Sequence, residues 1–437
     1  ALVDDQTLIY HAVSGPREEL APAFREGGRN VGWYPWVYMP PFTQMPDYGK
    51  PAAEATMRRG FAWAYDVSPD GLTVIIHIEE DAVFHDGTPL TAGEVKKAWE
   101  FAAWPENQVA WGGFLLHARA IAGMEEVEFG DATTASGLIA IDDHTLEIQL
   151  NAKDPTFAMQ LSVWMFGPQS VDHALENPDN WLKSPIGVGP YRITSVESAT
   201  GDAELTLAEG WWGDTPSIKR IVLPAVKDLQ TNFIIYENSE TDLLFADDLR
   251  QPQLHNPEHA LFSNMQHHVT GGLWYAGMVT DHPPFDELNV RKAFAHSIDY
   301  QSTLTAVLGP LATWGAGIVV PGVPCYKEGT GYEYNPEKAR QWLSESSYGT
   351  ASNLPAMTIE LSRPNMIRIF EIFQEQWSDN IGYQVNLVRL EPGQQRQDVV
   401  EFARQSLGSR IHDPAGMVFD MGHSSSGAMQ RGPNFNN

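Results

Sequence analysis

The sequence predicts an α/β protein built from two or three domains. Its 437 residues are more than one hydrophobic core usually supports. Apolar residues at the spacing of strands and at the spacing of helices alternate along the chain. Hydrophobic residues make up 43% of the composition, which is enough to fill folded cores and argues against a disordered chain.

The first clear strand is predicted over residues 72–80, where apolar side chains recur at every second position. The apolar positions are Leu72, Val74, Ile76 and Ile78. A tight polar turn is predicted at 85–89, before a helix. Thr91 and Glu94 form a capping box, in which Thr91 caps the helix and Glu94 reaches back to the Thr91 amide.

Later segments continue the α/β pattern. Residues 144–150 alternate like a strand, and a glycine turn at 187–190 leads into another strand. This lone Gly-x-Gly is no nucleotide site, because Pro190 removes a backbone donor that a phosphate needs. Helices are predicted to begin at Asp286, as an N-cap, and at Asn335, with Pro336 in the first helical position.

Charge and motifs exclude several functions. The net charge of -28 repels nucleic acid, and no apolar run approaches the roughly 18 residues of a membrane span. The single cysteine, Cys325, allows neither an intrachain disulfide nor a paired-cysteine metal site. No nucleophile–base, zinc-protease or phosphate-loop motif is present. We therefore expect no catalysis and no cofactor.

Histidines offer only a weak metal hypothesis. His267 and His268 are adjacent, so in a strand they would point to opposite faces. His412, Asp413 and His423 have suitable ligand chemistry, but turn formation explains Asp413 before a proline equally well. No resident metal is expected.

The 14 tryptophans are the unusual part of the composition. Several aromatic residues stand within two positions of glycine or proline and outside periodic runs: Trp33, Trp36, Trp111, Trp274 and Tyr275. Aromatic faces stack on sugars, apolar side chains and planar groups. As a group, they predict an aromatic-lined cleft, although core packing is the alternative for each one.

Six segments, in order, resemble family 5 of the extracytoplasmic solute-binding proteins, the group that binds oligopeptides, dipeptides and nickel. They are residues 66–73, 84–95, 187–191, 211–212, 285–299 and 334–339. Val188 departs from the threonine that the family usually has in its glycine turn. The resemblance covers essentially the whole chain.

The resemblance implies a type II periplasmic-binding-protein fold of the large subclass, in which two α/β lobes close on a ligand by hinge motion. Residues 1–36 and 156–262 would form lobe I, 37–155 an extra subdomain of lobe I, and 263–437 lobe II. Family members continue beyond the position of Asn437 and return to lobe I, so we expect a C-terminal return segment to be missing.

Ligand contacts are expected from both lobes. From lobe I we expect Trp33, Trp36, Trp111 and Phe114; the last two lie in a segment similar to one that supplies a pocket aromatic in peptide-binding members. From lobe II we expect Trp274, Tyr275, Arg410 and Asp413. Peptide-binding members hold the ligand amine with an aspartate four residues before a proline, whereas this chain has Arg410 there. A guanidinium suits a carboxylate, a phosphate or a hydroxyl, and Asp413 is the alternative partner for an amine.

The resemblance therefore implies a monomeric binding protein for a peptide or peptide-like solute. It would deliver that ligand to the permease subunits of an ABC importer, from the periplasm or the outer face of the membrane, with or without a lipid anchor. One alternative is an oligosaccharide, which the tryptophans favour. A lower alternative is nickel or a metallophore, which the 14 histidines and the family's nickel branch favour.

Overall fold

The computed structural model describes residues 6–11, 34–45, 56–107, 114–154, 156–181, 183–197, 200–226, 229–244, 251–265, 272–278, 280, 282–309, 312, 314, 317–321, 325–361, 364–390 and 402–408. The chain divides into two compact units. The first unit is Ala1–Met45 with Ala55–Phe245, and the second is Pro46–Glu54 with Ala246–Asn437.

The first unit alternates strands and short helices. Its elements are β1 (Thr7–His11), α1 (Tyr34–Val37), β2 (Phe42–Met45), β3 (Thr56–Arg59), β4 (Ala62–Val67), β5 (Thr73–Ile78), α2 (Ala92–Ala103), α3 (Leu115–Ala118), α4 (Met124–Glu128), β6 (Leu138–Asp142), β7 (Thr145–Gln149), α5 (Phe157–Gln160), α6 (Val171–Glu176), β8 (Tyr191–Val196), β9 (Ala203–Leu207), β10 (Arg220–Leu223), α7 (Leu229–Glu237) and β11 (Leu243–Leu244).

An antiparallel sheet of order β4-β5-β7-β6 packs against α2. The predicted strands at 72–80 and 144–150 are confirmed as its neighbours β5 and β7, with Ile76 opposite Leu146. Val74, Ile76 and Ile78 are buried, so the two-residue period marks the face that packs on the helix. Leu72 precedes the strand and is exposed.

A second sheet has the order β11-β1-β10-β9-β8. Strand β1 pairs in parallel with β10 and β11, whereas β9 runs antiparallel to both of its neighbours. The hydrophobic core on this sheet includes residues from α1 as well as from the strands. Its buried members are Tyr10, Tyr34, Val37, Tyr38, Tyr191, Ala203, Leu205, Ile221 and Leu223.

The second unit has a helical core with short sheets. Its elements are α8 (Gln251–Leu254), β12 (Gly272–Met278), α9 (Leu288–His296), α10 (Tyr300–Leu308), α11 (Pro336–Ser344), β13 (Thr358–Leu361), α12 (Pro364–Ile381), β14 (Asn386–Arg389) and β15 (Phe402–Gly408). Strand β12 is antiparallel to β15, and β13 is parallel to β14. Phe294, Phe373 and Trp377 are buried together in its core.

The division into two units does not separate the predicted extra subdomain from lobe I. The boundaries of lobe I (1–36 and 156–262), of its extra subdomain (37–155) and of lobe II (263–437) stay predictions. Among the helices in the described part of the chain, none has the length and apolarity required to cross a membrane.

Candidate functional site

An aromatic cluster in the first unit contains one of the predicted ligand contacts. Trp36 on α1 lies partly buried against the core, with its ring centroid 6.2 Å from that of Tyr10 and 6.5 Å from that of Tyr191. Tyr34 stacks on Trp164 at a centroid distance of 4.9 Å and an interplanar angle of 26°. We call these five residues the aromatic cluster. Trp36 and Trp164 are only partly buried, whereas the three tyrosines are buried.

The aromatic cluster is uncharged at neutral pH. Burial raises the pKa of Tyr10 to about 12, and burial also raises the pKa of Tyr191. The Tyr191 hydroxyl donates a hydrogen bond to the Ile218 carbonyl oxygen at 2.9 Å. The three phenols are buried, so the part of the cluster that suits a neutral organic ligand is the pair of partly buried tryptophans, Trp36 and Trp164.

Glycines hold the chain that carries Trp36. Residues 36–41 pass against Gly60, Gly167, Gly187 and Gly189, and a Cβ at any of the four would overlap backbone atoms of that segment. A Cβ on Gly189, for example, would lie 2.7 Å from the Trp36 carbonyl carbon. The Gly189 N–H also donates to the Val37 carbonyl oxygen at 2.9 Å. The position of α1 is therefore fixed by backbone packing that excludes side chains.

His85 ties the predicted 85–89 turn to the same glycine loop. Its Nδ1 accepts a hydrogen bond from the Gly187 N–H at 3.3 Å, and its Nε2 lies 3.0 Å from the Gly189 carbonyl oxygen. The His85 backbone N–H also donates to the Gly187 carbonyl oxygen at 3.0 Å. Burial is the main reason why the pKa of His85 is lowered from 6.5 to about 4.

The structure places the other predicted contacts as follows. Trp33, Trp111, Arg410 and Asp413 lie outside the described residues. Trp274 and Tyr275 lie on β12, opposite Ser406 and Gln405 of β15. Phe114 is 2% exposed, and its ring meets that of Phe166 edge-on at 5.3 Å. A ligand role for each of these residues stays a prediction.

Sequence reasoning missed four members of the aromatic cluster: Tyr10, Tyr34, Trp164 and Tyr191. Tyr34 could have been predicted by the rule that selected Trp36, because it is an aromatic residue directly before Pro35. Tyr10, Trp164 and Tyr191 are far apart in sequence and meet Trp36 or Tyr34 only in the folded unit.

Within the described residues, no group of three or more His, Cys, Asp or Glu side chains could hold a metal ion. His267, His268, His412 and His423 lie outside the described residues. Cys325 is exposed, with a backbone φ of 67°.

The family model for bacterial extracellular solute-binding proteins, family 5 (middle), matches residues 56–428. The chain belongs to this family. The predicted family is thereby confirmed. Its members are described as bacterial extracellular solute-binding proteins.

Curated relatives agree with this family 5 membership. The dipeptide-binding protein DppE of Bacillus subtilis (strain 168) is 26% identical over 381 residues, which cover 84% of this chain and 67% of DppE. The oligopeptide-binding protein OppA of the same organism is 24% identical over 349 residues, covering 77% of this chain and 63% of OppA. The chain thus spans about two thirds of the length of these relatives.

A solved structure confirms the predicted fold class of the family 5 protein. The periplasmic oligopeptide-binding protein OppAIV of Borrelia burgdorferi superposes with a TM-score of 0.77 at 21% identity. The match covers 95% of this chain and 82% of OppAIV. The α/β periplasmic-binding-protein fold is therefore established independently of the sequence motifs.

Proposed function

We propose that this protein captures a peptide or a peptide-like organic solute outside the cytoplasm and delivers it to an ABC importer. The match of residues 56–428 to the family 5 solute-binding model carries this proposal. The names of the relatives support the ligand class, since DppE is a dipeptide-binding protein and OppA an oligopeptide-binding protein.

The aromatic cluster supports an organic ligand. The uncharged indoles of its two partly buried tryptophans, Trp36 and Trp164, are suited to the apolar side chains and planar amide groups of a peptide. The same surface suits a sugar ring, but the relatives described above are named for peptides, which favours the peptide. Nickel or a metallophore stays the lower alternative, because the relatives described above are named for peptides.

The partners and the location follow from the proposed function. A delivery protein must meet the permease subunits of its importer at the outer face of the membrane, in the periplasm or on the cell surface. We propose that it acts there as a monomer and has no catalytic activity of its own. OppAIV is named for an oligopeptide ABC transporter, which supports the importer as partner.

Native mass spectrometry of the purified protein tests the proposed function. The mass difference between the native and the mildly denatured protein identifies any co-purified molecule. Titration calorimetry of the dialysed protein with defined peptide pools and with cello- and chito-oligosaccharides then compares the two ligand classes. Released or binding peptides support the proposal, whereas heat from oligosaccharides alone would replace it with the sugar alternative.

Trp36→Ala should weaken ligand binding by about 1–3 kcal/mol if the indole forms part of the ligand-contact surface, because the variant removes a large aromatic face. Calorimetry with a binding peptide measures the change in Kd. Trp63→Ala is the matched control, since Trp63 is 45% exposed on the separate strand β4. Unchanged affinity with a lowered Tm for Trp36→Ala would make Trp36 a core residue only.

A further inference from the structure

The hydrogen bonds of His85 define its protonation state. The Gly187 N–H donates to Nδ1, so this nitrogen carries a lone pair. A carbonyl oxygen cannot donate, so Nε2, at 3.0 Å from the Gly189 oxygen, carries the proton. Only one neutral tautomer satisfies both contacts. A second proton on Nδ1 would face the Gly187 N–H, and the hydrogen bond would become a donor–donor repulsion.

Gly187 and Gly189 contact both His85 and the backbone around Trp36. Gly189 donates a backbone hydrogen bond to Val37 at 2.9 Å. Its Cα also packs so closely on the Trp36 carbonyl that no Cβ fits between them. Gly187 packs in the same way on Val37. A shift of the 187–189 loop therefore displaces the backbone of α1, which carries the Trp36 ring.

The charged groups around His85 have opposing effects on its protonation. Among the described residues, Asp86 in the same turn favours the imidazolium and Arg192 on β8 disfavours it. Burial exceeds both effects and lowers the His85 pKa to about 4. A group whose pKa is lowered in the folded state contributes stability above its unfolded pKa of about 6.5, and this contribution is lost as the pH falls towards 4.

We propose that His85 is a positioning residue that holds the Trp36 segment in place only while its imidazole is neutral. Acid then releases Trp36, the predicted ligand contact in the aromatic cluster. The structural part of this inference concerns the first unit alone. Its consequence, a ligand affinity that falls in acid, rests on the proposed function.

Hydrogen–deuterium exchange tests the structural part without a ligand. Protection of peptides covering 34–41 and 183–192 is compared at pH 7.5 and pH 4.5, after correction for intrinsic exchange rates. We expect both segments of the wild-type protein to lose protection together by about tenfold or more at the lower pH. His85→Gln keeps a donor towards Gly189 but does not titrate, so its protection in these segments should change by less than about threefold. His77→Gln is the control, since His77 lies on the separate sheet and pairs with Asp66 at 2.8 Å.

A pH effect of equal size in His85→Gln and in the wild type would overturn the proposal. If His85→Gln does not fold, the NMR titration of the wild-type imidazole decides the question. A His85 that titrates near 6.5 without a coupled shift in the Gly187 and Gly189 amides contradicts it. Binding of tri-, tetra- and penta-alanine at pH 7.5 is measured separately. Failure to bind them counts against the proposed function, whereas the exchange result still decides the role of His85.

Discussion

Gly167→Ala is expected to destabilise the first unit by about 3 kcal/mol, which lowers its Tm by roughly 6–12 °C. The backbone at Gly167 has an ordinary φ of -68°, so the cost does not come from conformational strain. It comes from overlap, because the added Cβ would lie 2.6 Å from the Tyr38 carbonyl carbon. Tyr38 cannot retreat freely, since Gly60 and Gly187 pack on the same segment. Urea unfolding followed by circular dichroism measures the loss.

Gly93→Ala is the matched control for this substitution. Gly93 lies in the first turn of α2, and a Cβ there would meet only the Thr91 hydroxyl oxygen at an ordinary 3.5 Å. Alanine is favoured over glycine in a helix by up to about 1 kcal/mol, so this variant should be neutral or slightly more stable. Equal stability of the two variants would mean that the backbone around Tyr38 yields, and that glycines do not position α1.

Local patterns predicted the fold well wherever one element determines its own geometry. Thr91 caps α2 as expected, since its hydroxyl accepts from the Glu94 N–H at 3.2 Å. The Glu94 carboxylate, however, pairs with the Lys97 amine at 3.6 Å. Asn335 caps α11 with Pro336 in its first turn, as predicted. Here the signal is contained within four consecutive residues.

The helix predicted to begin at Asp286 starts later. Helix α9 begins at Leu288 with Glu287 as N-cap, and this cap makes no side-chain hydrogen bond to the helix. The Glu287 carboxylate instead accepts hydrogen bonds from the backbone and hydroxyl of Ser347, 60 residues away. The residue at the observed N-cap position thus uses its side chain in a tertiary contact and leaves the helix terminus without a side-chain cap. Val290, Ala293 and Phe294 are buried and form the apolar face of α9.

The candidate site was less predictable, because its parts come from distant segments. The sequence marks residues 85–89 as a turn, but no periodicity indicates that His85 bonds to Gly187 and Gly189, more than 100 residues away. In the sequence, Gly187 and Gly189 predict only a turn. In the structure, their lack of a side chain allows the backbone of α1 to pack directly against them. Trp36 was found through its residue type, and its partners were found only through the fold.

Phe166→Ala is expected to destabilise the first unit by about 3–5 kcal/mol. The Phe166 side chain is fully buried, and its ring meets those of Trp99, Phe114 and Phe157 edge-on at 5.1, 5.3 and 6.5 Å. Truncation removes these edge-to-face contacts and leaves a cavity that the three large rings cannot close without leaving their positions. Thermal and urea unfolding of the variant measure the effect.

Phe129→Ala removes the same side chain from a site that is 68% exposed, so it should change the free energy of unfolding by less than about 0.5 kcal/mol. A Phe166→Ala variant as stable as this control would show that the neighbouring rings repack and fill the space left by the side chain. A large loss would instead mean that these rings form a tightly packed part of the core that includes Phe114. Phe114 could then affect ligand binding only indirectly, through the residues that pack on it. We would therefore expect Phe114→Leu to lower stability more than it lowers ligand affinity.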